Sequence, residues 1–227
     1  MKRICPTRSI DSKEFVKLES LLVTLRAFVV ENKSLVAKLG MENKLAETIG
    51  EGMGLLLCHE KFGDSVRYEW PGGRKRGYDI LLERPGGGKV RIQIKTNKQS
   101  EYDFKLFTLD VEESILSQLK IGETEGMCLR FDSEVEGKEA DIFLLVHWPV
   151  FLDAPTYYVL DKPRLKKAIR LDFHHYLHDK PHHKNYNFGI SRKTGRAWPH
   201  LNKTTVDSIG EYEKDWSPVV KLLGPKS

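Results

Sequence analysis

Phe15, Leu18, Leu22, Leu25 and Val29 recur at alternating steps of 3 and 4 residues, the repeat of one helix face. Leu21 and Phe28 widen that stripe, and Asp11 followed by Glu14 three residues later has the form of a capped helix start. A helix is therefore predicted over about residues 13–31. A turn at Asn32, Lys33 and Ser34 and a short apolar piece (Leu35, Val36, Leu39) follow, then a second helix over about 41–57. That helix holds Gly50, Gly52 and Gly54, each costing about 1 kcal/mol against alanine in a helix. Glycines retained at such a cost predict close approach of another backbone or of a ligand.

From residue 66 the pattern changes to strands. Residues 66–70 end at Pro71-Gly72-Gly73, and the apolar runs 78–82 and 90–95 flank Pro85-Gly86-Gly87-Gly88, so a hairpin is predicted. Residues 103–109 read as a strand, 110–120 as a helix, 140–148 as a buried strand and 157–160 as another strand. Residues 164–177 read as a helix, and 216–223 as a tail docked on the core. The order helix, three strands, helix, strand predicts an α/β domain on a mixed sheet. Residues 1–40 would form a helical segment on that core, 41–160 the core, and 161–227 a basic extension.

Composition narrows the class of protein. The chain has 227 residues, 40% apolar and 30% charged, which excludes a disordered tail and allows a core without disulfides. The apolar run 142–146 falls far short of the roughly 18–20 residues that span a bilayer. The start lacks the apolar stretch of a secretion signal. Cys5, Cys58 and Cys128 are odd in number without zinc spacing, and a reducing cytoplasm is the expected compartment. Cys58, after three leucines, reads as a core thiol. Gly86-Gly87-Gly88 has neither a helix start nor a following Lys-Ser/Thr, so no nucleotide cofactor is expected. The net charge of +5 is unevenly spread. Residues 61–100 carry 10 basic and 4 acidic groups, 101–141 carry 4 and 12, and 161–203 carry 11 and 3. Basic clusters of this kind can be an electrostatic footprint for phosphates.

The stretch with chemistry is Asp79, then Gln93 and Lys95. In a strand Gln93 and Lys95 share a face while Ile92 and Ile94 take the other. Asp79 opens the partner strand of the hairpin, where its carboxylate can approach Gln93. An acid, an amide oxygen and an ammonium then meet at one sheet edge. Oxygen ligands suit Mg²⁺, with Mn²⁺ able to substitute, and a lysine beside the metal can hold or deprotonate the attacking water.

These residues resemble the PD-(D/E)xK nuclease superfamily, which includes type II restriction endonucleases, Holliday junction resolvases and Mrr-like nucleases. The resemblance covers about residues 41–148. It implies a restriction-endonuclease-like core of helix, three antiparallel strands, helix and strand. It further implies that Asp79 is a metal-binding aspartate, that Gln93 replaces the second acidic ligand, and that Lys95 is the catalytic lysine. A glutamate on the first core helix would join them. Glu51, before a small and apolar run, fits better than Glu47, which lies four residues earlier on the same helix face. Tyr78 stands where many members have proline. Gln93 removes one negative charge from the site, as in some Q-x-K members.

The expected activity is metal-dependent hydrolysis of double-stranded DNA by a type II restriction endonuclease, leaving 5′-phosphate and 3′-hydroxyl ends. The alternatives are a structure-specific nuclease and a non-catalytic DNA-binding protein on a degenerate nuclease fold. Arg74, Lys75, Arg76 and Lys98 flank the site as phosphate contacts. Arg192, Lys193 and Arg196 read as a basic hairpin loop able to enter a groove. Arg164, Lys166, Lys167 and Arg170 form a possible second contact stripe or a solvated helix face. A palindromic site would call for a homodimer, and the helix over 13–31 is a candidate dimer or lid element, or core cover. The histidines of 174–183 lack the spacing and third ligand of a zinc site.

Overall fold

The computed structural model describes residues 8–70, 77–97, 103–107, 109–110, 124–148, 154–179, 190–191, 196–197, 200–202 and 207–225. A two-residue edge strand, β1 (Arg8–Ser9), precedes helix α1 (Ser12–Glu31). The predicted cap is present: Lys13 and Glu14 N–H groups donate to Asp11 Oδ1 at 2.9 Å, and Asp11 N–H donates to Glu14 Oε2 at 3.0 Å. Helices α2 (Lys33–Lys38) and α3 (Glu42–Phe62) follow, then β2 (Arg67–Trp70), β3 (Ile80–Glu83) and β4 (Lys89–Asn97). Next come β5 (Asp103–Lys105), β6 (Leu109–Asp110), α4 (Thr124–Gly137), β7 (Ile142–His147), β8 (Thr156–Asp161) and α5 (Lys162–Asp179). The last elements are β9 (Ile190–Ser191), β10 (Arg196–Ala197), β11 (His200–Asn202) and α6 (Ser217–Leu223).

The fold is mixed α/β. Its main sheet has six strands in the order β1-β2-β3-β4-β7-β8. Every neighbouring pair is antiparallel except β4 and β7, which run parallel. A parallel neighbour needs a crossover, and α4 lies within that connection. The sequence places the crossover helix at 110–120. Residues 111–120, where that helix is expected, lie outside the described residues, and a helix not expected there spans Thr124–Gly137.

Alternation along the strands gives the sheet two apolar faces. Ile80, Leu82, Val90, Ile92, Ile94, Ile142 and Leu144 pack beneath α1, α3 and α6. Phe143, Leu145, Tyr158 and Leu160 pack beneath α4 and α5, through Phe131, Val135, Leu165 and Ile169. Cys58 is fully buried in the first core. Trp216, Val219 and Leu223 are buried there too, so the 216–223 segment docks as predicted. The C-terminal third thus covers both faces of the sheet, and its short strands pair with β5 and β6.

The helix glycines do mark close approach, but by side chains rather than by another backbone or a ligand. A Cβ on Gly50 would lie 1.8 Å from Thr96 Oγ1, and one on Gly54 would lie 2.5 Å from Ile94 Cδ1. Both targets are on β4, so α3 sits directly on the strand that carries Gln93 and Lys95. At the far end of the hairpin Gly88 N–H donates to the Leu223 carbonyl at 3.0 Å, and Arg84 Nη1 donates to the Gly224 carbonyl.

The basic groups of α5 do not form a free stripe. Arg170 pairs with Asp132 at 2.6 Å, Lys166 with Glu136, Lys167 with Glu211 at 3.1 Å and Arg164 with Asp215 at 2.8 Å. Two of these pairs are with acidic residues of α4 and two with the C-terminal segment, the pattern of an ion-paired helix face. Among the described residues no helix is long and apolar enough to cross a membrane.

Candidate active site

The site arises where two adjacent strands differ in length. Ile80 opens β3 opposite Ile92, while β4 continues to Asn97. The N–H of Ile94 therefore points toward the β3 side with no residue of β3 opposite it. Asp79 fills that gap. Its Oδ2 accepts the Ile94 N–H at 2.6 Å, and its own N–H donates to the Ile92 carbonyl at 2.8 Å. A buried backbone donor without a partner costs free energy, so the same bond that completes the ladder fixes the carboxylate. Continuing the register one step beyond Ile80–Ile92 sets Asp79 against Gln93.

On β4 the residues Val90, Ile92 and Ile94 are buried, while Gln93 and Lys95 are half-buried on the alternate positions. The other edge of β4 is closed by β7, with Gln93 beside Phe143 and Lys95 beside Leu145. Helix α3 supplies Glu51 directly after Gly50. The Trp70 indole donates a hydrogen bond to the Glu51 carboxylate.

Electrostatics join these groups into one cluster. Burial, then the charges of Asp79 and Glu47, push the Glu51 carboxyl up to about 7, against the pull of Trp70 and Lys95. Burial also raises Asp79, with Glu47 adding to it and the Ile94 N–H and Lys95 opposing. Burial lowers Lys95, partly offset by Asp79, Glu47 and Glu51 and assisted by Lys138. The structure thus brings Asp79, Lys95, Glu51 and Glu47 within electrostatic reach of one another. Lys138 is a charged neighbour of Lys95 that sequence reasoning missed. Its ammonium pairs with Glu134 and lies 5.1 Å from the Phe107 ring centroid. Only the crossover through α4 brings it to Lys95, so no local signal announces it.

A lysine with a depressed pKa is closer to accepting a proton near neutral pH. Glu51 and Asp79, both raised by burial and by a neighbouring carboxylate, are oxygen donors whose charge a cation would stabilise. Asp79 and Glu51 are the side chains here that could hold a divalent cation, with the Gln93 amide oxygen as a further donor. Among the described residues no group of three or more His, Cys, Asp or Glu is gathered closely enough to hold a metal unaided. That donor set suits Mg²⁺, which keeps several waters and shares its shell with substrate phosphate.

The Glu51 shift predicts a pH-dependent stability. A carboxyl whose folded pKa lies above its unfolded value of 4.5 binds more protons in the folded state. Stability contributed by this group then falls as pH rises from 4.5 to about 7 and is flat above. Glu51→Gln is expected to unfold about 1–2 kcal/mol less readily than wild type at pH 8 in EDTA, after discount for solvent screening of a half-exposed group. The gain should vanish at pH 4.5, and urea denaturation at the two pH values checks it. An equal gain at both would show that Glu51 is not strained by its charge.

Of the proposed DNA contacts, Arg74, Lys75, Arg76, Lys98, Arg192 and Lys193 lie outside the described residues. Arg196 opens β10 and pairs with Ser191 of β9, so antiparallel strands flank residues 192–195, as the hairpin reading expects. His174, His175 and His178 lie on α5, and His182 and His183 lie outside the described residues. Comparison of the chain with models of known protein families, with curated proteins and with solved structures finds no match.

Proposed function

We propose that this chain is a Mg²⁺-dependent endonuclease with a restriction-endonuclease-like core, hydrolysing phosphodiester bonds of double-stranded DNA as a type II restriction enzyme does. The observation that carries this reading is the cluster at the uncovered edge of β4. There Asp79 is pinned by the Ile94 N–H, Lys95 stands two residues beyond Gln93, and Glu51 arrives from α3. The order α3, three antiparallel strands, α4 and the parallel β7 also accords with that core.

In this reading Asp79 and Glu51 hold the metal, with Gln93 as a neutral third donor. When bound, Mg²⁺ supplies Lewis-acid polarisation of the scissile phosphate and a more acidic water. Lys95 Nζ orients the attacking water and accepts its proton, or, when charged, donates hydrogen bonds to the phosphate oxygens as negative charge develops there. Asp79, held by the backbone, keeps its oxygens in place without the metal. The weak free donor set makes metal binding depend on the substrate phosphate.

The test is to incubate wild type and Lys95→Ala with plasmid and with four-way junctions in Mg²⁺ and in Mn²⁺. Discrete plasmid fragments from wild type, absent from the variant, are the expected result. Cutting of junctions alone would replace the restriction reading by a structure-specific nuclease. DNA binding with no cutting in either metal would leave a non-catalytic DNA-binding protein, which the neutral Gln93 would then explain.

A further inference from the structure

The carboxylates around the main sheet are mostly held by cations. Asp141 takes the fork of Arg91, with Nε at 3.0 Å and Nη2 at 2.9 Å, and Glu83 takes Lys89 at 2.9 Å. Asp132, Glu134, Glu136, Glu211 and Asp215 each pair with a lysine or arginine as well. Asp11 and Asp161 instead accept backbone amides at the starts of α1 and α5. Asp79 and Glu51 belong to neither class. Among the described residues neither is ion-paired, and each accepts from a neutral N–H away from any helix start: the Ile94 amide for Asp79 and the Trp70 indole for Glu51. We propose that Trp70 is a positioning residue of the candidate active site, whose indole holds the Glu51 carboxylate in place without neutralising it, so that the carboxylate can take a divalent cation. This rests on the reading of Asp79 and Glu51 as the ligands of that cation.

Strand β2 brings the indole to the site by register. Glu69 pairs with Leu81, so one step further sets Trp70 beside Ile80. Tyr68, two residues earlier, is buried in the core beneath α1 and α3. Alternation turns Trp70 to the same side of the sheet, where its ring packs against that core. Glu51 comes down on this side from α3, one residue after the glycine that meets Thr96. The strand thus fixes the ring, and the ring fixes the carboxylate.

The choice of donor matters for what Glu51 can do. An indole N–H donates, cannot accept and carries no charge. One such bond uses one of about four lone-pair positions on a carboxylate, so oxygen remains for a metal. A lysine or arginine in the same place would cancel the charge of Glu51 and would have to be displaced by the incoming cation. The indole bond also favours the ionised form of Glu51, against burial and the charges of Asp79 and Glu47. Partners that orient a metal-binding side chain in this way carry about 10- to 100-fold of metal affinity. A tryptophan packed on a core also needs an acceptor for its own N–H, and a purely structural Trp70 would use Glu51 for that alone. The two roles part on metal affinity and on coupling to Glu51.

The full chain, its Trp70→Phe and Glu51→Gln variants and the double variant are titrated with Mn²⁺ at pH 8, the free ion being followed by electron paramagnetic resonance. Trp70→Phe keeps an aromatic ring on the core and removes the donor. It is expected to bind Mn²⁺ at least about tenfold more weakly than wild type. In the Glu51→Gln background it should cost nothing further, because Trp70 acts through Glu51. An affinity left unchanged by Trp70→Phe overturns the proposal, as does an equal loss in both backgrounds.

Nuclear magnetic resonance of the wild type supplies a readout that does not need a folded Trp70→Phe. The indole proton of Trp70 should move upfield in Glu51→Ala, and it should be the first of the four tryptophan indole signals that Mn²⁺ broadens. A signal unmoved by Glu51→Ala overturns the proposal and leaves the nuclease reading standing. A signal that does move, with wild type and Glu51→Gln binding Mn²⁺ alike, removes Glu51 from the metal site. The proposal then falls with the nuclease reading of Glu51, and the indole bond itself survives.

Discussion

Asp79→Asn is expected to abolish Mg²⁺-dependent DNA cleavage, by ~10³-fold or more, while leaving the protein as stable as wild type or more so. The two halves follow from two roles of one carboxylate. As an anion it is the proposed metal ligand, and an amide loses the charge that draws the cation. As a hydrogen-bond acceptor it satisfies the Ile94 N–H at 2.6 Å, and an asparagine oxygen can do the same. Burial raises the Asp79 pKa, so the folded state disfavours its ionised form, and removing that charge relieves the protein above the usual carboxylate range. Asp79→Ala should lose activity and stability together. It leaves the Ile94 donor unpaired at a cost of about 1–3 kcal/mol. Urea unfolding at pH 8 in EDTA, beside plasmid cleavage in Mg²⁺, separates the effects. An Asp79→Asn variant that cuts normally would remove Asp79 from the site. Equal stabilities for the asparagine and alanine variants would mean that the Ile94 bond contributes nothing.

Gly50→Ala should be the most damaging single methyl in the core. The added carbon would lie 1.8 Å from Thr96 Oγ1 and 2.6 Å from Thr96 Cβ. Threonine is stiff at χ1, and its Cβ belongs to β4, so the helix must move away instead. Overpacking of this kind costs about 3 kcal/mol, more than the roughly 1 kcal/mol that alanine returns as a better helix former. Glu51 follows Gly50 directly and would be carried away from Asp79 and Lys95, so cleavage should fall with stability. Gly52→Ala is the control. There the new carbon meets Leu22 Cδ2 at 2.8 Å, the far end of a flexible side chain, and a net change within about 1 kcal/mol is expected. If Gly50→Ala unfolds at the wild-type denaturant concentration, α3 does not rest on β4 as described.

Much of this arrangement was legible in the amino-acid order. The 3-4 spacing of α1, the Asp11–Glu14 cap, the hairpin of β3 and β4 and the cost of three helix glycines each led to an element or contact that is present. Asp79 and Lys95 were legible for the same reason: a hairpin with alternating faces places its polar residues by rule. The missing parts are non-local or short. Helix α4 keeps only a short 3-4 spacing of Cys128, Phe131 and Val135 amid acidic residues, which obscures it. Strands of two or three residues are too short to alternate. The ion pairs of α5 join residues 30–51 positions apart, such as Lys166 with Glu136 and Arg164 with Asp215, and no window along the chain reveals them. Lys138 reaches Lys95 only through the crossover.

The clasp on the β3–β4 hairpin gives the site a dependence on chain order. Arg84 and Gly224, 140 residues apart in sequence, are joined at the hairpin's closed end. A carbon added at Gly88 would lie 2.1 Å from the Leu222 carbonyl oxygen, so the fit there is backbone against backbone. Contacts of such long sequence separation form late in folding. A chain still emerging from the ribosome short of residue 217 therefore carries Asp79 and Lys95 on a hairpin whose far end is untied. The proposed cleavage chemistry would arrive with the completed fold and not before it.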